Sequence, residues 1–398
     1  MKNKYISKRY WKDKSTPMGK VDELAKQFND VIDLSLGDPD LITHDIIIDN
    51  SMRDAKLGYT KYTDFRGDPE LREEITKFYK EEYGLTIKDE EIFVTASGCL
   101  AMYLVLEAIL DDGDEVIVQT PYFTPYPQQV ELARGIPVPL NTYENEDFQI
   151  DTDRLEKLIT ERTKAIIVNS PNNPTGSTLT PKTIEGIRDI AVKYDLIVIS
   201  DDIYTSFCYE EPFIPIICTD GMKERTIIIN SFSKNFTMTG WRIGNIIAPD
   251  YIIKVIQQIN ENVVFTAPSI SQRGAIYALR NRKKVQKPII EEYKKRVFYS
   301  ADRINGIPNM SVLSPKGTFY LFVNIKRTGL SSAEASDALL KEAHVLTIPG
   351  IAFGECGEGY IRLACTVGIE KLKEAFDRIE KMEIFHKSGE DKLWKTLS

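Results

Sequence analysis

Asn230-Ser231-Phe232-Ser233-Lys234-Asn235-Phe236-Thr237-Met238-Thr239-Gly240-Trp241-Arg242-Ile243-Gly244 is the stretch on which the reading of this chain turns. It follows a β-branched run, Thr226 to Ile229, that reads as a buried strand. A lysine placed directly after such a strand, among Ser and Gly, suits two jobs. It can hold a phosphate as a point charge, or it can form a Schiff base with an aldehyde. Arg242, eight residues on, suits a phosphate better through its planar fork, which frees Lys234 for covalent chemistry. A lysine on a solvated loop would fit the segment alone equally well. The rest of the chain decides.

Upstream, short Val/Ile-rich runs alternate with helical segments. Strands are expected at Glu91 to Ala96, Glu115 to Gln119, Ala165 to Asn169, Leu196 to Ser200, Thr226 to Ile229 and Asn245 to Ala248. Helices are expected at Pro69 to Tyr83, with Asp68 as cap and Gly84 as stop, and at Gly98 to Leu110 and Thr183 to Tyr194. Near-continuous apolar strands alternating with helices predict an α/β large domain with a mostly parallel, seven-stranded sheet covered by helices. Ligands of such sheets sit beyond the carboxyl ends of the strands. Downstream, helices at Ser269 to Arg280 and Val285 to Arg303 lead to expected strands at Ser311 to Leu313, Thr318 to Val323, Val345 to Ile348 and Tyr360 to Ala364, with helices at Ala333 to Ala343 and Ile369 to Glu383. That pattern reads as a smaller α+β domain. The expected division is 1–45 for an N-terminal arm and part of the small domain, 46–285 for the large domain, and 286–398 for the small domain with its linker helix. The residues after about Lys387 read as frayed.

Composition narrows the function. The 398 residues are 42% hydrophobic and carry 51 basic and 59 acidic side chains, a formal charge of −8 without long blocks of one sign. That argues against nucleic acid and against an anionic membrane surface as partners. Five cysteines without CxxC spacing, and no signal peptide, read as reduced thiols in a cytoplasmic protein. No apolar stretch is long enough to cross a membrane. Three scattered histidines, 44, 344 and 386, speak against a metal site and against a Ser-His triad.

Polar motifs follow the strand ends. Ser97-Gly98-Cys99 opens a helix whose N–H groups can take an anion, or serves packing alone. Phe123, in Pro121-Tyr122-Phe123-Thr124-Pro125-Tyr126-Pro127, can stack on a flat ring or simply pack at a loop base. Asn173, in Asn169-Ser170-Pro171-Asn172-Asn173-Pro174-Thr175-Gly176, can donate to a ligand or form an Asx turn. Asp201-Asp202-Ile203-Tyr204 puts two acids at a Val/Ile strand end. One can cap a turn, and the other can pair with a cationic ligand nitrogen. Gly37 ends the short strand of Val31 to Leu36, as a plain turn or as a place where backbone meets ligand. Tyr59 and Tyr62 lie on a loop. Arg362 lies inside the apolar run Tyr360 to Ala364 and needs an anion, either an internal acid or a substrate carboxylate.

Taken together, these motifs resemble the class I/II aminotransferases, pyridoxal-phosphate enzymes of the aspartate aminotransferase fold. The resemblance covers nearly the whole chain in the family's order. Ser-x-Ser-Lys…Gly-Trp-Arg-x-Gly and Pro-Asn-Asn-Pro-Thr-Gly are its most specific marks. It implies pyridoxal 5'-phosphate as cofactor, joined to Lys234 as a Schiff base, with Lys234 later moving the substrate's proton. Asp201 would pair with the pyridine nitrogen, Tyr204 and Asn173 with the phenolic oxygen, and Phe123 with the ring face. Ser231, Arg242 and the backbone amides of Ser97, Gly98 and Cys99 would bind the phosphate. Arg362, Gly37 and Asn173 would hold the substrate α-carboxylate. Tyr62 would reach the phosphate of a neighbouring subunit, so a homodimer with shared sites is implied. The expected substrates are an α-amino acid and a 2-oxo acid. Another reaction on the same cofactor, such as a carbon–sulfur β-lyase, a racemase or an oxidase, would use the same residues. A non-catalytic sensor would need a DNA-binding segment, for which residues 1–30 are too short and insufficiently basic. Dicarboxylate-specific members carry a second cation where this chain has Glu261-Asn262-Val263-Val264, which speaks against a preference for aspartate.

Overall fold

The computed structural model describes residues 3–11 and 27–386. The expectation for the tail after Lys387, and most of that for the arm before residue 30, falls outside these residues. In chain order the strands are β1 (Ile32–Asp33), β2 (Ile92–Thr95), β3 (Glu115–Thr120), β4 (Ile136–Asn141), β5 (Thr163–Asn169), β6 (Ile197–Asp201), β7 (Thr226–Ser231), β8 (Gly244–Ile247), β9 (Tyr320–Asn324), β10 (Val345–Leu346), β11 (Ile348–Pro349) and β12 (Tyr360–Ala364).

Seven of them form the large sheet in the order β2-β8-β7-β6-β5-β3-β4. β8 is antiparallel to both its neighbours, and the other pairings are parallel. β2, β3 and β8 are buried along their whole length, as expected of strands covered on both faces. β4 was not expected from the sequence. Pro137 and Pro139 remove two ladder donors, and the strand lies at the sheet edge, where only one side needs a partner. Helices cover the faces. Gly98–Ile109 packs on β7 and β8 and on the helix Asp250–Glu261. Pro69–Tyr83 starts with Pro69 in its first turn, is capped by Asp68, which accepts from the Glu70 amide at 2.9 Å, and ends at Gly84 in the left-handed region. The helices Asp45–Lys56 and Ser269–Arg280 pack on each other, and buried Arg273 ties them to the start of Pro69–Tyr83 through Asp54 at 2.7 Å and Asp68 at 3.2 Å.

The smaller α+β domain holds the antiparallel sheet β11-β12-β9 and the parallel pair β1-β10. Thus the chain just after residue 30 adds to the C-terminal part, with Ile32 opposite Val345. Three expectations need correction. Ser311 to Leu313 is no strand: Ser311 alone bridges to Asn324, and the next amide, Val312, donates to the Asn305 side chain at 2.9 Å. Val345 to Ile348 is broken at Thr347, and its two halves belong to different sheets. The last helix runs Ile369–Ile379 and stops short of Glu383. The two domains share one apolar core, which runs from Val94 and Ile228 through Tyr293 of the helix Arg282–Asn305 to Phe319 and Ile361. Burial of this kind stabilises at about 25 cal/mol per Å² of apolar surface.

Candidate active site

The residues just past the carboxyl ends of β2, β3, β5, β6 and β7 line one cavity of about 460 Å³. β7 delivers Ser231 and, one turn later, Lys234; β6 delivers Asp201; β12 brings Arg362 across from the small domain. Of the residues singled out from sequence, Gly37, Gly98, Cys99, Phe123, Asn173, Asp201, Tyr204, Ser231, Lys234, Arg242 and Arg362 all line this cavity. Ser97 and Tyr62 are not among its lining residues. The Ser97 hydroxyl accepts from the Leu100 amide at 3.1 Å and so caps the helix that opens at Gly98. Tyr62 is 80% exposed, with its ring edge-on to Phe265 at 4.9 Å.

Lys234 donates from Nζ to the Gly37 carbonyl at 2.5 Å. Burial pushes its amine down to about 8, against the pull of nearby Asp38, and the charges of Arg362 and Arg242 push the same way as burial. A fraction of the amine is therefore neutral, and nucleophilic, near pH 7. Gly37 has to be glycine here, because a Cβ would fall 1.7 Å from the Tyr320 hydroxyl oxygen.

Asp201 is buried and accepts from the Tyr126 hydroxyl and, at 3.3 Å, from the Ile203 amide. Burial pushes its carboxyl up to about 6, and those two donors restrain the rise. Among the described residues no cationic side chain contributes, so the wall holds a carboxylate prepared for a positive partner that these residues do not provide. Asn169 donates to the Asp201 carbonyl at 2.9 Å and accepts from the Asn173 amide at 2.8 Å, which locks β5 and β6 at their ends. The Tyr204 hydroxyl lies 3.2 Å from that of Tyr320. Phe123 meets Tyr126 edge-on at 5.5 Å.

Arg362 is the inverse case. It is 4% exposed and lies over the rings of Tyr320 at 4.5 Å and Phe353 at 5.0 Å. Its Nη1 donates to Asn173 at 3.0 Å, its Nη2 donates to the Ser35 carbonyl, and its Nε has no partner. All its acceptors among the described residues are neutral. The internal salt bridge that would have explained a buried arginine is therefore not what the fold provides. Asp33 acts on it only through space, and a buried cation without a salt-bridge partner in a cavity wall is an anion site. Arg242 is exposed at the far side, with Nη1 donating to the Thr239 carbonyl at 2.6 Å. The start of the helix Gly98–Ile109 adds unpaired N–H groups next to it in the lining.

Sequence reasoning missed Tyr126, Asn169, Asp38 and Tyr320. Tyr126 stood in the quoted aromatic turn, but nothing local tells it from Tyr122. Tyr320 reaches the cavity only because β9 pairs with β12.

Residues 29–379 match the model of the family "Aminotransferase class I and II". The chain belongs to that family of pyridoxal-phosphate-dependent enzymes, and it transfers an amino group between an amino acid and a 2-oxo acid. It is 42% identical to an aspartate aminotransferase of Pyrococcus abyssi, over 91% of this chain and 94% of that one. It is 38% identical to the aromatic-amino-acid aminotransferase 2 of Thermococcus litoralis, over the same shares of 91% and 94%. The crystal structure of the Thermus thermophilus aspartate aminotransferase with maleate superposes with a TM-score of 0.90 at 32% identity, covering 96% of this chain and 100% of that one. The cavity fits the cofactor on its own chemistry: a buried amine, a buried carboxylate without a cation, and an anion cradle at a helix start.

Proposed function

We propose that this cavity holds pyridoxal phosphate and the α-carboxylate of an amino acid, with the side chains in the following roles. Lys234 would be the covalent anchor, and its amine would move the proton at substrate Cα. Asp201 would pair with the cofactor's ring nitrogen, with Tyr126 fixing the carboxylate. Tyr204 and Asn173 would hydrogen-bond the phenolic oxygen, and Phe123 would pack on the ring. Ser231, Arg242 and the amides of Gly98 and Cys99 cradle the phosphate, with Ser97 acting there through the cap that orients those amides. Arg362 takes the substrate carboxylate, helped by Gly37 and Asn173. When bound, the cofactor supplies the electron sink that no side chain can offer a Cα carbanion. The observation that carries this reading is the placement of uncompensated Arg362 in one cavity with Lys234 and Asp201.

A homodimer is part of the proposal. Tyr62 is exposed, outside its own cavity, and clusters with Phe265 and Phe65 at ring distances near 5 Å, which suits a side chain that works in a neighbouring subunit. The division at residues 45 and 285 is also proposed, supported by the sheet boundaries.

For the amino donor we propose an uncharged side chain. Lys234, Arg242 and Arg362 are the cations of the cavity lining, and each has a role above. The remaining wall offers Leu36, Met102, Phe123 and Ile203, with Asp38 beside them. A second carboxylate would meet Asp38 and no further cation from these described residues. The test is a panel of half-reactions followed by the cofactor spectrum, with glutamate formation from 2-oxoglutarate as the product assay. Phenylalanine should react with a higher kcat/KM than aspartate; the reverse order overturns the assignment of donor.

A further inference from the structure

A much smaller cavity lies behind the wall of the active site. Its volume is about 20 Å³, and Tyr79, Asn230, Ser231, Asn235, Asn245 and Gln286 supply its polar lining. Ser231 lines both cavities. Two polar atoms there, Asn235 Oδ1 and Asn245 Nδ2, are buried without a well-formed protein hydrogen bond, Asn245 interacting only weakly with the Tyr79 hydroxyl. The two residues are only 5% and 4% exposed. An unpaired buried amide group costs about 1–3 kcal/mol, so two in one wall need a reason.

The chemistry of the lining selects the occupant. A water needs roughly 10–15 Å³ of such space and two to four polar partners. The volume admits one oxygen atom and little more. One orphan group accepts and the other donates, which suits a ligand that does both. The Tyr79 hydroxyl, which accepts from Asn230 Nδ2 at 3.3 Å, is a further partner on the same wall. The lining contains no charged side chain, so nothing there compensates the charge of an ion.

We infer that one ordered water occupies this cavity, donating to Asn235 Oδ1 and accepting from Asn245 Nδ2, and that it positions the turn that carries Lys234. Asn235 follows Lys234 directly and ends the helical turn Phe232–Asn235, whose four residues make few backbone bonds of their own. Asn245 lies in β8, in register with Asn230, and Asn230 Oδ1 accepts from the Ser231 amide at 2.7 Å. The water therefore ties the lysine-bearing turn to the sheet from the side opposite the substrate. Its presence does not depend on the role of Lys234; its effect on cofactor holding rests on the reading given above.

A crystal structure of the holoenzyme, at a resolution that shows ordered solvent, decides occupancy. Density within hydrogen-bonding distance of both amides is expected. Empty density, side chains turned to pair with each other, or an ion held by carboxamide oxygens alone overturns the inference. For the positioning role, the cofactor dissociation constant is compared across variants. Asn245→Leu, which fills the space, should raise it about tenfold, a loss of about 1.4 kcal/mol, while Asn245→Ser should stay near the unmodified protein. Equal constants in all three remove the positioning role, whatever happens to Lys234 chemistry. Should Asn245→Leu fail to fold, the density in the unmodified holoenzyme still decides.

Discussion

Burial holds the Asp201 carboxyl up at about 6 in a wall where only Tyr126 and the Ile203 amide donate to it. The folded protein then binds this proton more tightly than the unfolded chain, whose ordinary value is 3.8. The group's contribution is therefore favourable below about pH 4 and is lost as the pH rises through about 6; above that, the ionised carboxylate is a cost. Asp201→Asn removes that cost. The cofactor-free variant should gain about 2–3 kcal/mol at pH 7 and nothing at pH 4, measured by denaturant unfolding. Equal stability of the two proteins at pH 7 would contradict the uncompensated carboxylate. Arg362 makes the matching case for the substrate. Its Nε has no partner and its other contacts are neutral. Arg362→Ala should cost about 2–4 kcal/mol of substrate binding, read as a KM raised by about 30- to 1000-fold. A KM within twofold of the unmodified enzyme would place the carboxylate elsewhere.

At the scale of elements, the sheet ends matter most, because they bring distant residues to one edge. Ser231 and Thr95 both lie opposite Gly244 in register, so β2, β7 and β8 converge beside the helix start at Gly98. A Cβ at Gly244 would fall 2.7 Å from the Asn230 carbonyl oxygen and 3.1 Å from the Gly98 amide nitrogen, both backbone atoms. Gly244→Ala should lower the melting temperature and weaken cofactor binding together, the strain being worth about 1–3 kcal/mol. Unchanged cofactor affinity would detach this corner from the phosphate. The same elements explain what was legible beforehand. β3 and β5 to β7 carry Val/Ile runs, so their existence and their parallel pairing could be read, and the motifs after them could be placed. β4 could not, because its prolines mimic a loop. The break at Thr347 depends on which sheet each half pairs with, and a single run of sequence does not contain that. The cap made by the Ser97 hydroxyl depends on where the helix begins, and the turn alone does not show that. Tyr126 and Tyr320 depend on contacts across 75 and 116 residues of chain, beyond any local pattern.

On the scale of the whole molecule, a shared apolar core joins the domains, and the small one contributes Arg362 to a cavity that the large one builds. Packing of the two parts on one core is what lets a clamp in one face a lysine in the other. No helix of the described residues is long and apolar enough to cross a membrane. The exposed ring of Tyr62, beside Phe65 and Phe265, gives the proposed dimer its test. Tyr62→Ala should raise the cofactor dissociation constant about tenfold although the side chain lies outside its own subunit's cavity. An unaltered constant would leave Tyr62 a surface residue. All of this depends on one amine, and the most direct measurement is reduction of the holoenzyme with borohydride, followed by peptide mass mapping. The account predicts the phosphopyridoxyl group on Lys234 alone; a label on another lysine, or none, would contradict it.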